Sequence, residues 1–239
     1  MLEYLYSAPC KFGPGMLDEL DCGIFRLFAC AARGRTRLLP HLQKLTWTTI
    51  DDEIYPYISL FLSPTMTSLD IYASGKEPAS QIMRFSLLTS LVSQCPSLRT
   101  LKLEGGGEFS GQVISWGNLF SRYSVNACAL FSLWEALSSL RLDRIDLCTV
   151  TDVLATLPAL TKLNLTTCQA ISDSPSAPSS VQGFPMLQHL CMYVCNMDSC
   201  LYVLKRMSPG TSLVYLELAV EGLPREYRWY ELEGGHIAG

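Results

Sequence analysis

The chain has 239 residues, 49% of them hydrophobic and 17% charged, which supplies enough apolar material for a sizeable core and excludes a disordered tail. A formal net charge of −4, a sequence pI near 5.4 and the lack of any long lysine or arginine run argue against nucleic acid or an anionic membrane surface as the main partner. The densest basic cluster, Arg33, Arg35 and Arg37, has no aromatic residues interleaved and reads as a solvated turn.

The opening segment, MLEYLYSAPCKF, lacks the basic residue followed by an uninterrupted apolar run that a secretory signal requires. The most apolar early stretch, Ile24 to Ala32, is broken by Arg26 and is far shorter than the roughly 20 residues that span a bilayer. With ten cysteines spread along the chain and no signal peptide, the expected setting is intracellular, cytoplasmic or nuclear, with reduced thiols. In that setting the glycosylation pattern Asn164-Leu165-Thr166 carries no meaning. Met16 to Ala32, with Leu17, Leu20, Ile24, Leu27 and Phe28 on helical spacing, is expected to form a lead-in to the rest of the chain.

From Leu42 onward one pattern returns: apolar-x-x-apolar-x-apolar. It is LQKLTW from Leu42, MTSLDI from Met66, LRTLKL from Leu98, LSSLRL from Leu137, LTKLNL from Leu160, LQHLCM from Leu187 and LVYLEL from Leu213, seven copies in all. Their first residues lie 24, 32, 39, 23, 27 and 26 positions apart, so four intervals have the length of a leucine-rich repeat and two carry insertions. Pro40, Pro64, Pro96, Pro158 and Pro185 each stand two residues before a copy. Proline lacks a backbone donor and disfavours helix in the residue before it, so it should end a helical stretch and launch the chain extended.

Within each hexad the apolar positions alternate with polar ones, as in a short strand with one buried face. Stacked copies should form a parallel sheet, with Thr46, Asp70, Lys102, Arg141, Asn164, Cys191 and Glu217 pointing outward. The intervening segments have helical spacing: Ile82, Phe85, Leu88, Leu91 and Val92, then Val153, Leu154 and Leu157, then Leu201, Leu204 and Met207. Thr149 and Asp152 are expected to cap a helix after Val150, and Asp198 to announce one after Asn196. The expected fold class is therefore α/β, a leucine-rich-repeat solenoid forming a horseshoe segment, with the parallel sheet on the concave face and helices on the convex face. Its expected organisation is a lead-in over residues 1–38, the array over 39–223 and a C-terminal tail over 224–239. Both ends of the array are expected to be incomplete.

Two copies continue to a cysteine at the ninth place, Leu160-x-x-Leu163-x-Leu165-x-x-Cys168 and Leu187-x-x-Leu190-x-Met192-x-x-Cys195. These resemble the cysteine-containing leucine-rich repeats of F-box proteins, in which that position lies in the turn after the strand and bonds to neighbouring backbone. The phrases LLPHLQKLTW, YPYISLFLSPTMTSLDI, SLLTSLVSQCPSLRTLKL and VTDVLATLPALTKLNLTTC are similar to the repeat region of fungal F-box-like proteins, over about Leu17 to Leu223. The resemblance implies substrate recognition for a cullin-RING ubiquitin ligase of the SCF type, with a protein substrate on the repeats and the SCF adaptor on an F-box. No F-box is read in the sequence itself, so adaptor binding is expected if those helices stand upstream of Met1. A stand-alone or truncated repeat module with no ligase role is the competing expectation.

No catalytic, metal or cofactor site is expected. His189, Cys191, Cys195 and Cys200 lack the spacing of a zinc site, and His41, His189 and His236 offer no evident pairing with a cysteine nucleophile. Gly105-Gly106-Gly107 is not followed by the Lys-Ser/Thr of a phosphate loop. The candidates are instead the outward-pointing side chains Lys44, Tyr72, Lys102, Glu104, Arg141, Asp143, Lys162, His189, Tyr193, Tyr215 and Glu217, a partner-binding row on the concave face. Both charge signs and several tyrosines suit a mixed polar protein surface.

Overall fold

In the computed structural model the described residues are 30, 37–49, 52–73, 80–104, 108–109, 112–113, 130, 133–143, 145, 147–168, 183–194 and 196–220. Most of the lead-in 1–38, the Gly105-Gly106-Gly107 run, Cys195, His236 and the tail 224–239 lie outside them. The chain divides into two compact units, Met1–Ile114 and Ser115–Gly239.

In the first unit, strands β1 (Lys44–Thr49), β2 (Ser68–Ala73) and β3 (Thr100–Glu104) pair in that order, all parallel. A 3-10 helix, Asp52–Phe61, separates β1 from β2, and helix α1, Ser80–Gln94, separates β2 from β3. Two short antiparallel strands follow, β4 (Glu108–Phe109) and β5 (Gln112–Val113). In the second unit, β6 (Ser139–Asp143), β7 (Lys162–Cys168), β8 (His189–Val194) and β9 (Tyr215–Val220) pair in sequence order, again all parallel. Helix α2, Leu147–Leu154, lies between β6 and β7, and helix α3, Met197–Leu204, between β8 and β9. The α/β class and the parallel strands are thus as the sequence implied, each hexad supplying one strand.

The register explains why the hexad repeats. Leu45, Leu69 and Leu101 are partners across the first unit, as are Trp47, Ile71 and Leu103. In the second unit the corresponding rows are Leu140, Leu163, Leu190, Leu216 and Leu142, Leu165, Met192, Leu218. A one-residue slip would turn each row out to water, so apolar burial locks the pairing. All these side chains are buried except Leu218, which is half-buried.

The prolines act more locally than a helix stop. The leading residues Leu42, Met66, Leu98, Leu137 and Leu187 each donate their amide to the carbonyl three residues back, on Leu39, Ser63, Cys95, Trp134 and Phe184. Pro40, Pro64, Pro96 and Pro185 therefore occupy the second position of a four-residue turn, where their fixed φ is favoured. After the turn a second device recurs. The amides of Thr67 and Ser68 both donate to the Gln43 carbonyl, and the same fork joins Arg99 and Thr100 to Thr67, Thr161 and Lys162 to Ser138, Gln188 and His189 to Thr161, and Val214 and Tyr215 to Gln188. These five copies are keyed to a preceding one through the backbone, and at Thr67 and Thr161 the side-chain hydroxyl donates to the same carbonyl as the fork.

Three local expectations are corrected. Helix α2 opens at Leu147, so Thr149 lies inside it and Asp152 bonds Arg206 at 2.6 Å instead of capping. The buried apolar spacing begins with Leu147 and runs on through Val150, Val153 and Leu154, which draws the helix start forward. In α3 the buried face is Ser199, Cys200 and Val203; Leu201 is 43% exposed, and Leu204 and Met207 are half-buried. Small side chains there let the helix sit close, an arrangement that apolar spacing alone does not signal. Cys168 is the last residue of β7 rather than a turn residue. The strand bulges between Thr166 and Cys168, Thr167 takes a left-handed φ of 52°, and the buried Cys168 thiol donates to the Thr166 carbonyl at 3.2 Å.

Asn196 caps α3, its side-chain oxygen accepting from the Ser199 amide at 2.9 Å and the Ser199 hydroxyl at 2.7 Å, with Asp198 in the first turn. Asn196→Ala is expected to cost about 1 kcal/mol, read as a lower urea midpoint with unchanged slope. No effect beyond error would mean that α3 does not depend on its cap. Among the described residues no helix is long and apolar enough to cross a membrane.

Candidate binding face

Because side chains alternate along a strand, burying the hexad leucines sends the other set to the opposite face. All eleven residues expected on that face are there: Lys44 and Lys162 are exposed, and Tyr72, Lys102, Glu104, Arg141, Asp143, His189, Tyr193, Tyr215 and Glu217 are half-buried. Register sorts those of the second unit into rows. Ser139, Lys162, His189 and Tyr215 form the first, Arg141, Asn164, Cys191 and Glu217 the second, and Asp143, Thr166 and Tyr193 the third. The third row ends on β9 with Ala219, which is buried.

In the first unit the rows bring Lys102 beside Asp70, with an ion pair of 2.9 Å, and set Tyr72 opposite Glu104. The Lys102 ammonium is held above its usual pKa first by the hydrogen bond to Asp70, against an opposing desolvation, and then by the charges of Asp70, Tyr72 and Glu104. Lys44 stands at the first position of β1, partnered by Ser68 in the ladder.

The second unit gathers His189, Tyr193, Tyr215 and Glu217 on two adjacent strands. The Tyr193 hydroxyl donates to Glu217 Oε1 and the Tyr215 hydroxyl to Glu217 Oε2 at 3.0 Å. The His189 ring lies 6.0 Å from the Tyr215 ring, tilted by 34°. One carboxylate thus pins two phenols, so both rings present a fixed amphipathic surface at little cost in side-chain entropy. Burial first, and then Glu217, pushes the Tyr193 phenol well above its ordinary range. Arg141 lies on β6, with its charge acting on Cys191, and Lys162 on β7.

Cys191 sits in the row with Glu217, and burial, followed by the hydrogen bond to and charge of Glu217, pushes its thiol up to about 11 against a pull from Arg141. Because the folded value exceeds the ordinary 9.0, the stabilisation associated with the neutral thiol is complete below pH 9.0 and is lost as pH rises through about 11. At pH 8 the thiolate fraction is expected to be about a hundredfold below that of an ordinary thiol, with iodoacetamide labelling of the Cys191 peptide slowed accordingly. Glu217→Gln is expected to speed that labelling and shift its pH midpoint down; an ordinary midpoint in the wild-type chain would contradict the described surroundings of the thiol.

Asp70, Asn164, Thr166 and Cys191 also belong to the face. Asp70, Asn164 and Cys191 were legible as outward-pointing but not as functional candidates, because only the register reveals Lys102 beside Asp70 and Glu217 beside Cys191. Thr166 holds the same place after its hexad as Tyr72, Glu104, Asp143 and Tyr193, but carries no charge or aromatic ring to mark it. Among the described residues no group of three or more histidines, cysteines, aspartates or glutamates could hold a metal, and no disulfide joins any two of the six described cysteines, Cys30, Cys95, Cys148, Cys168, Cys191 and Cys200.

Compared with family models, with curated proteins and with solved structures, the chain matches none of them.

Proposed function

We propose that the chain is a leucine-rich-repeat scaffold that binds a protein partner on the outward face of its parallel strands and catalyses no reaction. In this reading each unit is a stretch of solenoid, with the sheet on the concave side and the intervening helices on the convex side. The observation that carries it is the row of polar and aromatic side chains held in register on strands whose other face is packed with leucine. A backbone fixed by repeated turns and forked hydrogen bonds loses little freedom on binding, so side chains on it are already placed for contact. Tyrosines, an arginine and mixed charges are the composition in which protein-binding energy concentrates.

The likeness of the hexads to F-box-type repeats extends the proposal to a setting: presentation of a protein substrate to an SCF ubiquitin ligase. The test is native isolation of the full-length gene product from its source cells, beside a Lys162→Glu/Glu217→Lys variant. The expected result is recovery of a ligase adaptor together with a protein that the variant loses. Recovery of that protein without any adaptor removes the ligase role and leaves a stand-alone binding module. A partner set unchanged by the double reversal removes the outward face as the binding site.

A further inference from the structure

The last copy of the second unit is less covered than the copies before it. Leu137, Leu160 and Leu187, which open three successive hexads, are at most 1% exposed, and so are Leu142, Leu165 and Met192, which close them. Leu213 and Leu218, at the same places in the last hexad, are half-buried. Val214 is 54% exposed, at a place where the two preceding copies carry the polar Thr161 and Gln188. β9 pairs with β8 on one side and is the last strand in the order of the sheet.

Helix α3 is also apolar at that end. Its Tyr202 hydroxyl reaches the Cys148 carbonyl of α2 at 3.4 Å, and Arg206, just beyond its last turn, bonds Asp152 of α2 at 2.6 Å. Those two side chains mark the flank turned to α2. At 3.6 residues per turn, Met197, Leu201 and Leu204 share a flank roughly opposite, where Met197 is 48% exposed, Leu201 43% exposed and Leu204 half-buried. The strands add in sequence order and α2 precedes α3, so this flank and the outer edge of β9 face the same way, out of the end of the unit. Apolar side chains gathered at one end in this way mark a surface of contact, which single exposed residues do not.

The sequence supplies an occupant close by. Residues 221–239 follow β9 directly and lie outside the described residues, and residues 227–232 read Tyr-Arg-Trp-Tyr-Glu-Leu. Each aromatic side chain of such a stretch can bury roughly 150–250 Å². The seven residues from Val220 to Tyr227 extend to about 23 Å, more than twice the roughly 8–10 Å between packed helices, so the tether reaches α3. A tether this short holds the stretch at an effective concentration on the order of millimolar. At micromolar protein it therefore outcompetes a second copy of the chain by about a thousandfold.

We infer that residues 227–232 pack on the end of the second unit, against Met197, Leu201 and Leu204 of α3 and along the outer side of β9. The contact closes the end that the last hexad leaves under-covered, and steadies the strand that carries Tyr215 and Glu217. It does not depend on the outward face binding a partner.

The experiment places the photoreactive residue benzoylphenylalanine at position 201 of the full chain and irradiates the protein at micromolar concentration. Peptide mass spectrometry is expected to find the main crosslink within one chain, joining position 201 to residues 221–239, at a yield unchanged by about a hundredfold dilution. The same probe at position 162, on the outward face of β7, is expected to give no crosslink to that segment. Crosslinks that join two chains and fade on dilution would assign the surface to a second copy and overturn the inference. The absence of any crosslink from position 201 to residues 221–239 would overturn it as well. A second readout leaves the surface itself unaltered. In the full chain carrying Tyr227→Ser, Trp229→Ser and Tyr230→Ser, the amides of β9 are expected to exchange with deuterium about tenfold faster than in the wild type, while those of β6 and β7 keep their rates. Exchange in β9 at the wild-type rate, or sped no more than that of β6, would contradict the contact.

Discussion

Leu190→Ala is expected to cost the second unit about 3 kcal/mol of stability, within the roughly 2–5 kcal/mol span of such truncations in packed interiors. Leu190 is fully buried on β8, with Leu163 and Leu216 as its register partners on the two flanking strands. Both neighbouring strands are hydrogen-bonded to β8, so they cannot close far onto the space left by the lost methyl and methine groups. The cavity term then adds to the lost transfer energy. Urea unfolding followed by circular dichroism would show a lower midpoint, with the far-ultraviolet spectrum retained at zero urea if the fold survives. Lys162→Ala, exposed on the next strand, provides the contrast and is expected to change stability by less than about 0.5 kcal/mol. Similar losses for the two variants would mean that the hexad leucines do not form the closed face of the sheet.

Gly183→Ala is expected to be of comparable size for the opposite reason. A Cβ at residue 183 would lie 2.1 Å from the Ala155 Cβ and 2.8 Å from both the Ala155 Cα and its carbonyl oxygen, so it would collide with backbone as well as a side chain. Gly183 cannot withdraw easily. Its amide donates to the Arg206 carbonyl at 2.9 Å, its carbonyl accepts the Ser208 amide and hydroxyl at 3.0 Å, and the next residue, Phe184, donates to the Ala155 carbonyl at 3.0 Å. Overpacking of this kind costs about 1–3 kcal/mol, and the backbone contacts place it toward the upper end. Ala155→Gly introduced with Gly183→Ala removes the shortest contact and leaves the two at 2.8 Å, so the expected rescue is partial. A thermal midpoint unchanged by Gly183→Ala would show that the chain around residue 183 does not approach Ala155 so closely.

The sequence made the strands legible because one physical rule governs both pattern and register. Leu45, Leu69 and Leu101 stand at the same place in their hexads, and the same is true of Leu140, Leu163, Leu190 and Leu216, so finding the repeat was equivalent to finding the pairing. The outward set followed by alternation. The helices were less legible because their burial is set by what they rest against: in α3 the buried residues include Ser199 and Cys200, whereas apolar spacing favoured Leu201. The association of Asp152 with Arg206 joins residues 54 apart, and no local spacing announces it. The Tyr193–Glu217–Tyr215 cluster lay between these cases. All three residues were recognisable as outward-facing, but their convergence depends on β8 lying beside β9 with Cys191 opposite Glu217.

That division bears on function. Buried positions constrained by register leave little chemical choice, whereas the outward positions are free to change without disturbing the turns or the forked backbone bonds that join one copy to the next. A surface of this kind can acquire a new partner by substitution alone, which is how a single scaffold serves many recognition tasks. Lys102 with Asp70 in the first unit and Glu217 with two tyrosines in the second are such local solutions on a common backbone.

The proposal that the outward face of the strands is where a protein partner docks is tested most directly by site-specific photo-crosslinking in the cells that make the protein. A photoreactive residue is placed at Lys162, exposed on β7, and in a parallel sample at Lys205, exposed just beyond α3. A discrete crosslinked protein from position 162, much weaker from position 205 and lost on Glu217→Lys, is the expected result. Crosslinking from position 205 that equals or exceeds that from position 162, or no discrete product from position 162, would contradict it.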